Sequence, residues 1–304
     1  MQLQELINRE ELDALRRPSN GRALWVCTVN VALLALGFAL PIAWPHPMGW
    51  MLGAIVLGGR ALGLGILVHD TAHLTMFSSR GLNEWAGTWL FGSLPNIDYQ
   101  SYRRGHLAHH RHAGTAADPD LQFVHSYPAS AASMMRKLVR DISGLNGLKG
   151  IAVQLKNFRL RAQLPFLLAH ALLLSALFVV GAPEVYACWW LGQLFVFPLL
   201  MRLRAMGEHG GVPDPNDPDP RRHTGTTLAG PLARLLCAPN RVNYHVEHHL
   251  AAAVPSYRLP DLHRLLAARG YFDDVPCVMP SYFAVIRRCL ACDGRAPAKG
   301  RRRS

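Results

Sequence analysis

The sequence predicts an all-α integral membrane protein, with four transmembrane helices in two hairpins and a cytoplasmic helical cap that carries clusters of histidine. Three observations predict this class. Four apolar runs approach the roughly 20 residues needed to cross a hydrocarbon core. Lys and Arg are excluded from the two short turns that would join those runs in pairs. Histidines recur in three clusters at helical spacing, all outside the apolar runs and all on the side the charge bias makes cytoplasmic.

Composition agrees. Half of the 304 residues are hydrophobic and the formal net charge is +12. A basic balance suits nucleic acid, an anionic membrane surface or an acidic partner. The long apolar runs select the membrane, and with no nucleic-acid-binding motif visible, nucleic acid is not an expected partner. The six cysteines are scattered, some in apolar runs, so a disulfide framework is not expected. Cys289 and Cys292 form a single C-x-x-C; a metal site would need a second pair.

Taken in order, residues 1–22 form an amphipathic segment with Leu3, Leu6, Ile7, Leu12 and Leu15 at roughly helical spacing, suited to lying on the membrane surface. No cleavable signal is expected. A membrane domain follows over 23–270, with spans at about 23–43, 49–68, 164–180 and 185–201. Arg60 lies inside the second span, where a charge must face protein, a buried carbonyl or a cavity. Trp85 to Leu94 is apolar but too short to cross, as a re-entrant or interfacial piece would be. Residues 271–304 are expected to form a C-terminal cytoplasmic tail ending in Lys299 and Arg301–Arg303. The charge bias puts both termini, the 74–162 section and all three clusters in the cytoplasm.

The clusters are His69 with His73, His106 with His109 and His110, and His245 with His248 and His249. Residues at i, i+3 and i+4 share one helix face, and neutral imidazole is a common metal ligand. Eight imidazoles are too many for one metal with open positions and enough for two. His209, at the end of the fourth span as His69 is at the end of the second, makes nine candidates. His112 shares the second cluster but not its face and is an extra candidate. Asp70, Glu208, Asn243 and Glu247 stand near the clusters, either orienting imidazoles or, for the carboxylates, as ordinary solvated charges. The lone histidines His46, His125, His170, His223 and His263 are read as structural.

The three clusters, H-x-x-x-H at His69–His73 and H-x-x-H-H at His106–His110 and His245–His249, resemble the histidine boxes of the membrane fatty-acid desaturase and hydroxylase superfamily over roughly residues 40–270. The resemblance implies a non-haem centre of two iron ions that uses O2 and two electrons to attack an unactivated C–H bond. Iron cycles between redox states, which zinc does not. The first reading is a desaturase acting on a membrane lipid or acyl chain; carotenoid ketolase, hydroxylase or another lipid hydroxylase is the runner-up. A non-catalytic metal-binding or metal-transporting membrane protein is the reading from another class. The chain carries no cytochrome b5-like His-Pro-Gly-Gly, so a separate electron donor such as ferredoxin or another small redox carrier is implied, with Arg103 and Arg104 as candidate docking residues. Phe77, Trp85, Trp89 and Phe91 are candidates to wall the acyl groove.

Overall fold

A computed structural model describes residues 3–121 and 126–290. His125, Cys292 and the basic stretch 299–304 lie outside the described residues. Among the described residues, four helices are long and apolar enough to cross a membrane: Asn20–Ala43, Pro47–Ala72, Leu160–Val179 and Pro183–His209, here called spans 1 to 4.

Two spans run further than hydropathy predicts. Span 2 continues past Val68 through His69 and Asp70 to Ala72, with His73 as its C-cap. Span 4 continues past Met201 through Arg202 and Arg204 to His209. The cause is the same in both: the polar residues find partners inside the protein. Asp70 accepts from Ser256, Arg202 donates to Asp141, and Arg204 lies 2.6 Å from Glu208 one turn on.

Span 2 is the central helix. In its most apolar window 72% of residues are buried, against 22–28% in the other three spans. Its small residues allow this, because glycine lets helix backbones approach closely. Gly58 faces Gly192 of span 4; a Cβ at Gly192 would stand 2.8 Å from the Ala54 carbonyl oxygen, and one at Gly58 would stand 2.7 Å from Val196 Cβ. Around this crossing span 4 departs from α geometry, with a π-helical stretch at Gly192–Val196 just before Pro198. Proline has no N–H to give to the preceding turn, and a wider turn is a common solution.

Arg60 is buried at the back of span 2 and takes the buried-carbonyl option. Its guanidinium donates to Asn30 Oδ1 at 3.0 Å and to the Leu235 carbonyl. Asn30 donates to Asn240, which donates to the Gly63 carbonyl at 2.9 Å. This polar knot ties the segment leading to the third histidine cluster onto spans 1 and 2.

A second core lies at the histidine end of the spans. Leu6, Ile7 and Leu12 are buried there against Val246, Val254, Leu262, Leu266 and Tyr271. The N-terminal segment thus packs its apolar stripe on the segment that carries the third cluster. Its apolar stripe finds a protein partner, and Arg269 fastens it through Glu11, at 2.7 and 2.9 Å, and the Leu6 carbonyl. Residues 271–289 also pack on the body rather than trailing from it. Val278–Met279 pairs in parallel with Thr226–Thr227, and the helix Tyr282–Cys289 lies on span 4. Cys289 is fully buried there.

The Gly58–Gly192 crossing can be tested by overpacking. Gly192→Leu should cost roughly 1–3 kcal/mol or more, read as a lower melting temperature of the detergent-solubilised protein. Gly21→Ala, where an added Cβ meets nothing within 4 Å, should leave the melting temperature nearly unchanged.

Candidate metal centre

Each cluster sits on an element with a local reason to form. The second lies on the helix Tyr99–His112, which starts where Asp98 accepts the backbone N–H groups of Gln100 and Ser101 at 3.1 and 3.3 Å. It ends just before Gly114, whose φ of +75° needs glycine. The third lies on the six-residue helix His245–Leu250, too short to stand alone. Thr226 Oγ1 accepts the Val246 N–H at 3.2 Å and donates to Glu247, and Asn243 donates to the Thr227 carbonyl at 2.8 Å.

The structure brings all nine candidate histidines together, in two groups, and each meets a neighbour through Nε2. In the first, His69 faces His248 at 3.0 Å, His248 faces His110 at 2.9 Å, His110 faces His106 at 3.1 Å, and His106 faces His73 at 2.8 Å. In the second, His209 faces His245 at 2.9 Å, His245 faces His249 at 3.1 Å, and His249 faces His109 at 3.4 Å. An imidazole nitrogen sits about 2.1 Å from a metal such as zinc, which puts two ligands at a right angle about 3.0 Å apart.

Hydrogen bonding on the far side of the rings decides the tautomers. His69 donates from Nδ1 to Asp70 at 3.0 Å, His109 from Nδ1 to Asp118 at 2.8 Å, and His209 from Nδ1 to the His223 carbonyl at 3.1 Å. The Nε2 atoms of these neutral rings therefore carry bare lone pairs pointed at other nitrogens. Such an array repels itself unless a cation lies between. Burial, followed by the neighbouring imidazoles, pushes His106, His245, His248 and His249 well below the usual histidine range. Burial also lowers His110 to about 2 and His73 to about 4, the nearby Arg103 adding to the latter. The rings are held neutral, the form that binds metal. The donor set thus fits metal: five imidazoles form one group, and in the other His109, His209 and His249 form one triad while His209 and His245 form a second with Glu208.

The remaining candidates divide. Asp70 orients His69 and is itself fixed by Ser256. Glu208 lies 3.8 Å from His245 Nδ1, an atom with no hydrogen-bond partner, and can join His209 and His245 around an ion. Glu247 points the other way, to Thr226 and His263, and anchors the third cluster without reaching its rings. Asn243 likewise holds the backbone turn. His112 belongs to neither group. His46 caps span 2, accepting the Met48 N–H, and His170 bonds Tyr186 and the Leu94 carbonyl, so both are structural as expected. His263 bonds Glu247 and so helps to anchor the third cluster.

Sequence reasoning missed Asp118, Ser256, Thr226 and the His223 carbonyl. Only Asp118 left a signal, in Asp118-Pro119-Asp120 eight residues beyond the second cluster. The others reach the site from distant segments.

A cavity of about 670 Å³ reaches His106, His109, His209 and His245. Its aromatic wall is Phe166, Trp189, Trp190 and Phe197 of spans 3 and 4, and Asn146, Ile151 and Gln154 line another side. Phe77, Trp85, Trp89 and Phe91 do not line it. Phe77 and Phe91 are buried in the core around span 2, and Trp85 and Trp89 face outward. Arg103 is also diverted from a purely surface role, since it donates to the Ala72 carbonyl at 3.0 Å and caps span 2 beside His73.

With this geometry in view, the chain belongs to the fatty acid desaturase family, whose model matches residues 45–281. It is 30% identical over 223 residues to a beta-carotene ketolase of Paracoccus sp. (strain N81106 / MBIC 01143), covering 71% of this chain and 79% of that protein. It is 27% identical over 279 residues to the sphingolipid delta(4)-desaturase/C4-monooxygenase DES2 of Bos taurus, covering 87% and 79%. It is 23% identical over 281 residues to the sn-1 oleoyl-lipid 12-desaturase of Arthrospira platensis, covering 78% and 74%. The family, the four apolar helices and the histidine groups together define a membrane protein of an oxidoreductase family that acts on lipids.

Two outcomes follow. Asp118→Asn, which removes the carboxylate behind His109, should lower metal affinity about 10–100-fold, measured by competition with a chromophoric chelator. In metal-free protein, stability should fall as pH drops from 6.5 toward 4. The unfolded chain takes up protons near the ordinary value of 6.5, while folded His73 does so only near 4. Each such histidine contributes a slope of about 1.4 kcal/mol per pH unit. Thermal unfolding of the metal-free protein between pH 7 and 4 checks this, and a flat profile would contradict it.

Proposed function

We propose that the protein is an O2-dependent oxidoreductase with two iron ions, and that it introduces a double bond into a fatty acyl chain of a membrane lipid. The observation that carries this reading is a group of five imidazoles beside a row of four linked through Nε2, at the end of a cavity bounded by spans 3 and 4. His69, His73, His106, His110 and His248 would hold one ion, and His109, His209, His245 and His249 the other. When bound, the ions supply the redox chemistry that, with O2 and two electrons, removes hydrogen from an unactivated C–H bond.

The chain's own residues set the conditions for that chemistry. Asp70, Asp118 and the His223 carbonyl hold three rings in one tautomer and orientation. His69, His109, His245 and His248 are buried, which limits water at the centre and protects a reactive site from side reactions. Phe166, Trp189, Trp190 and Phe197 offer an apolar face to an acyl chain arriving between spans 3 and 4. The electron donor is a separate carrier, ferredoxin or a similar small protein, and exposed Arg104 is better placed than Arg103 to meet it.

The distribution of Lys and Arg supports a bacterial inner-membrane protein with both termini and the centre in the cytoplasm. Donors gathered at the ends of spans 2 and 4 weigh against a transporter, which would bind its ion near the bilayer midplane.

Carotenoid ketolation or hydroxylation is the second reading, favoured by the 30% identity to the Paracoccus ketolase. Lipid profiling of cells expressing the chain decides between them: new acyl double bonds support the first, oxygenated carotenoid the second. Purified wild type should hold close to two irons, and His248→Ala should lose iron and activity together. Zinc alone, or activity that survives His248→Ala, would defeat the di-iron reading.

A further inference from the structure

The two donor groups are unequal. The first holds five imidazoles; the second holds four, His109, His209, His245 and His249, linked in a row through Nε2, with Glu208 beside His209 and His245. A fifth imidazole, read as structural from sequence, stands beside the smaller group. His223 is 5% exposed, and its ring packs edge-on against His249 with centroids 5.5 Å apart.

Its tautomer follows from its partner. Nδ1 lies 2.8 Å from the Asp217 carbonyl oxygen, which can only accept, so Nδ1 carries the proton. Nε2 is left with a bare lone pair, is buried, and has no hydrogen-bond partner among the described residues. A buried acceptor in that state calls for a donor the chain does not supply. The ring is also built in. Gly114 passes so close that a Cβ there would stand 2.9 Å from His223 Nδ1, and Asp219 caps the short helix that ends at His223. The carbonyl of the same residue accepts from His209 Nδ1. One residue thus touches two members of the second group, His209 through its backbone and His249 through its ring.

His223 falls outside the sets whose donor atoms all lie within 4.8 Å of one another. A donor outside those sets acts on an ion through a bridging water, not by direct ligation.

We propose that His223 is a tenth imidazole of the centre, a positioning residue whose Nε2 accepts a hydrogen bond from a water held at the second ion. It makes up for the missing fifth ring of that group and distinguishes the two ions chemically. The inference rests on the two-ion reading above.

The test uses full-length protein loaded anaerobically with ferrous 57Fe, as wild type, His223→Phe, His223→Asn and His223→Gln. Phe keeps the packing and the backbone carbonyl but removes the lone pair. Wild type should carry close to two irons. In the Phe variant one iron should be lost to a chelator at least about tenfold faster than in wild type, a size typical of groups behind metal ligands. The Mössbauer signal of one site should change while the other stays. Asn, polar but too short to reach, should behave like Phe and carries the test if Phe does not fold. Gln, which restores an acceptor oxygen, should recover part of the retention. A purely structural role predicts a lower melting temperature of the metal-free variants with both signals unchanged or both altered. Equal release rates and identical spectra in wild type and the folded variants would overturn the proposal. Fewer than two irons in wild type would instead defeat the two-ion reading on which it stands.

Discussion

Nine imidazoles turned toward one another through their Nε2 atoms are an unfavourable arrangement for a protein to hold without a cation. The rest of the structure follows from keeping them there. Bare lone pairs about 3 Å apart repel, and the Nδ1 partners Asp70, Asp118 and the His223 carbonyl prevent three of the rings from turning away or changing tautomer. Those partners are fixed in turn, Asp70 by Ser256 and the third cluster by Thr226 and Glu247. Such pre-organisation has physical sense only if a charged group occupies the space between the rings.

The membrane helices serve this constraint. Span 2 is the axis, buried along most of its length by its small residues, and it delivers His69 and His73 at one end. Span 4 crosses it closely at Gly192 and delivers His209 at the same end. The π-helical stretch before Pro198 sits where the cavity passes, next to Trp190 and Phe197. Arg60, Asn30 and Asn240 tie the segment before the third cluster to the same axis, and Tyr99 and Arg103 tie the helix of the second to its end through the Thr71 and Ala72 carbonyls. The N-terminal segment closes the assembly from outside.

Much of this was legible in the chain. Four apolar runs located the spans, and i, i+3, i+4 spacing put three rings on one face in each of two clusters. Charge bias placed all clusters on one side, which made a common centre the economical reading. Hydropathy marks only the apolar part of the helices of spans 2 and 4, which run on because Asp70 and Arg202 find partners inside the protein. It did not reveal that Leu6, Ile7 and Leu12 are covered by protein, since an amphipathic stripe does not say what will cover it. The aromatic wall was placed on the wrong segment for a related reason: composition locates aromatics but not the direction in which they face.

By itself, then, the sequence determined the number and location of the spans, the helical character of the histidine clusters and the type of donor they present. These depend on local periodicity and on transfer free energies, which are properties of short segments. Only the tertiary structure decided how nine rings divide into five and four, which nitrogen each presents, and which carboxylate or carbonyl stands behind it. It also decided that His223 joins the neighbourhood of the second group, and that the cavity runs along spans 3 and 4. Those are relations between segments from thirty to nearly two hundred residues apart, and no local pattern encodes them.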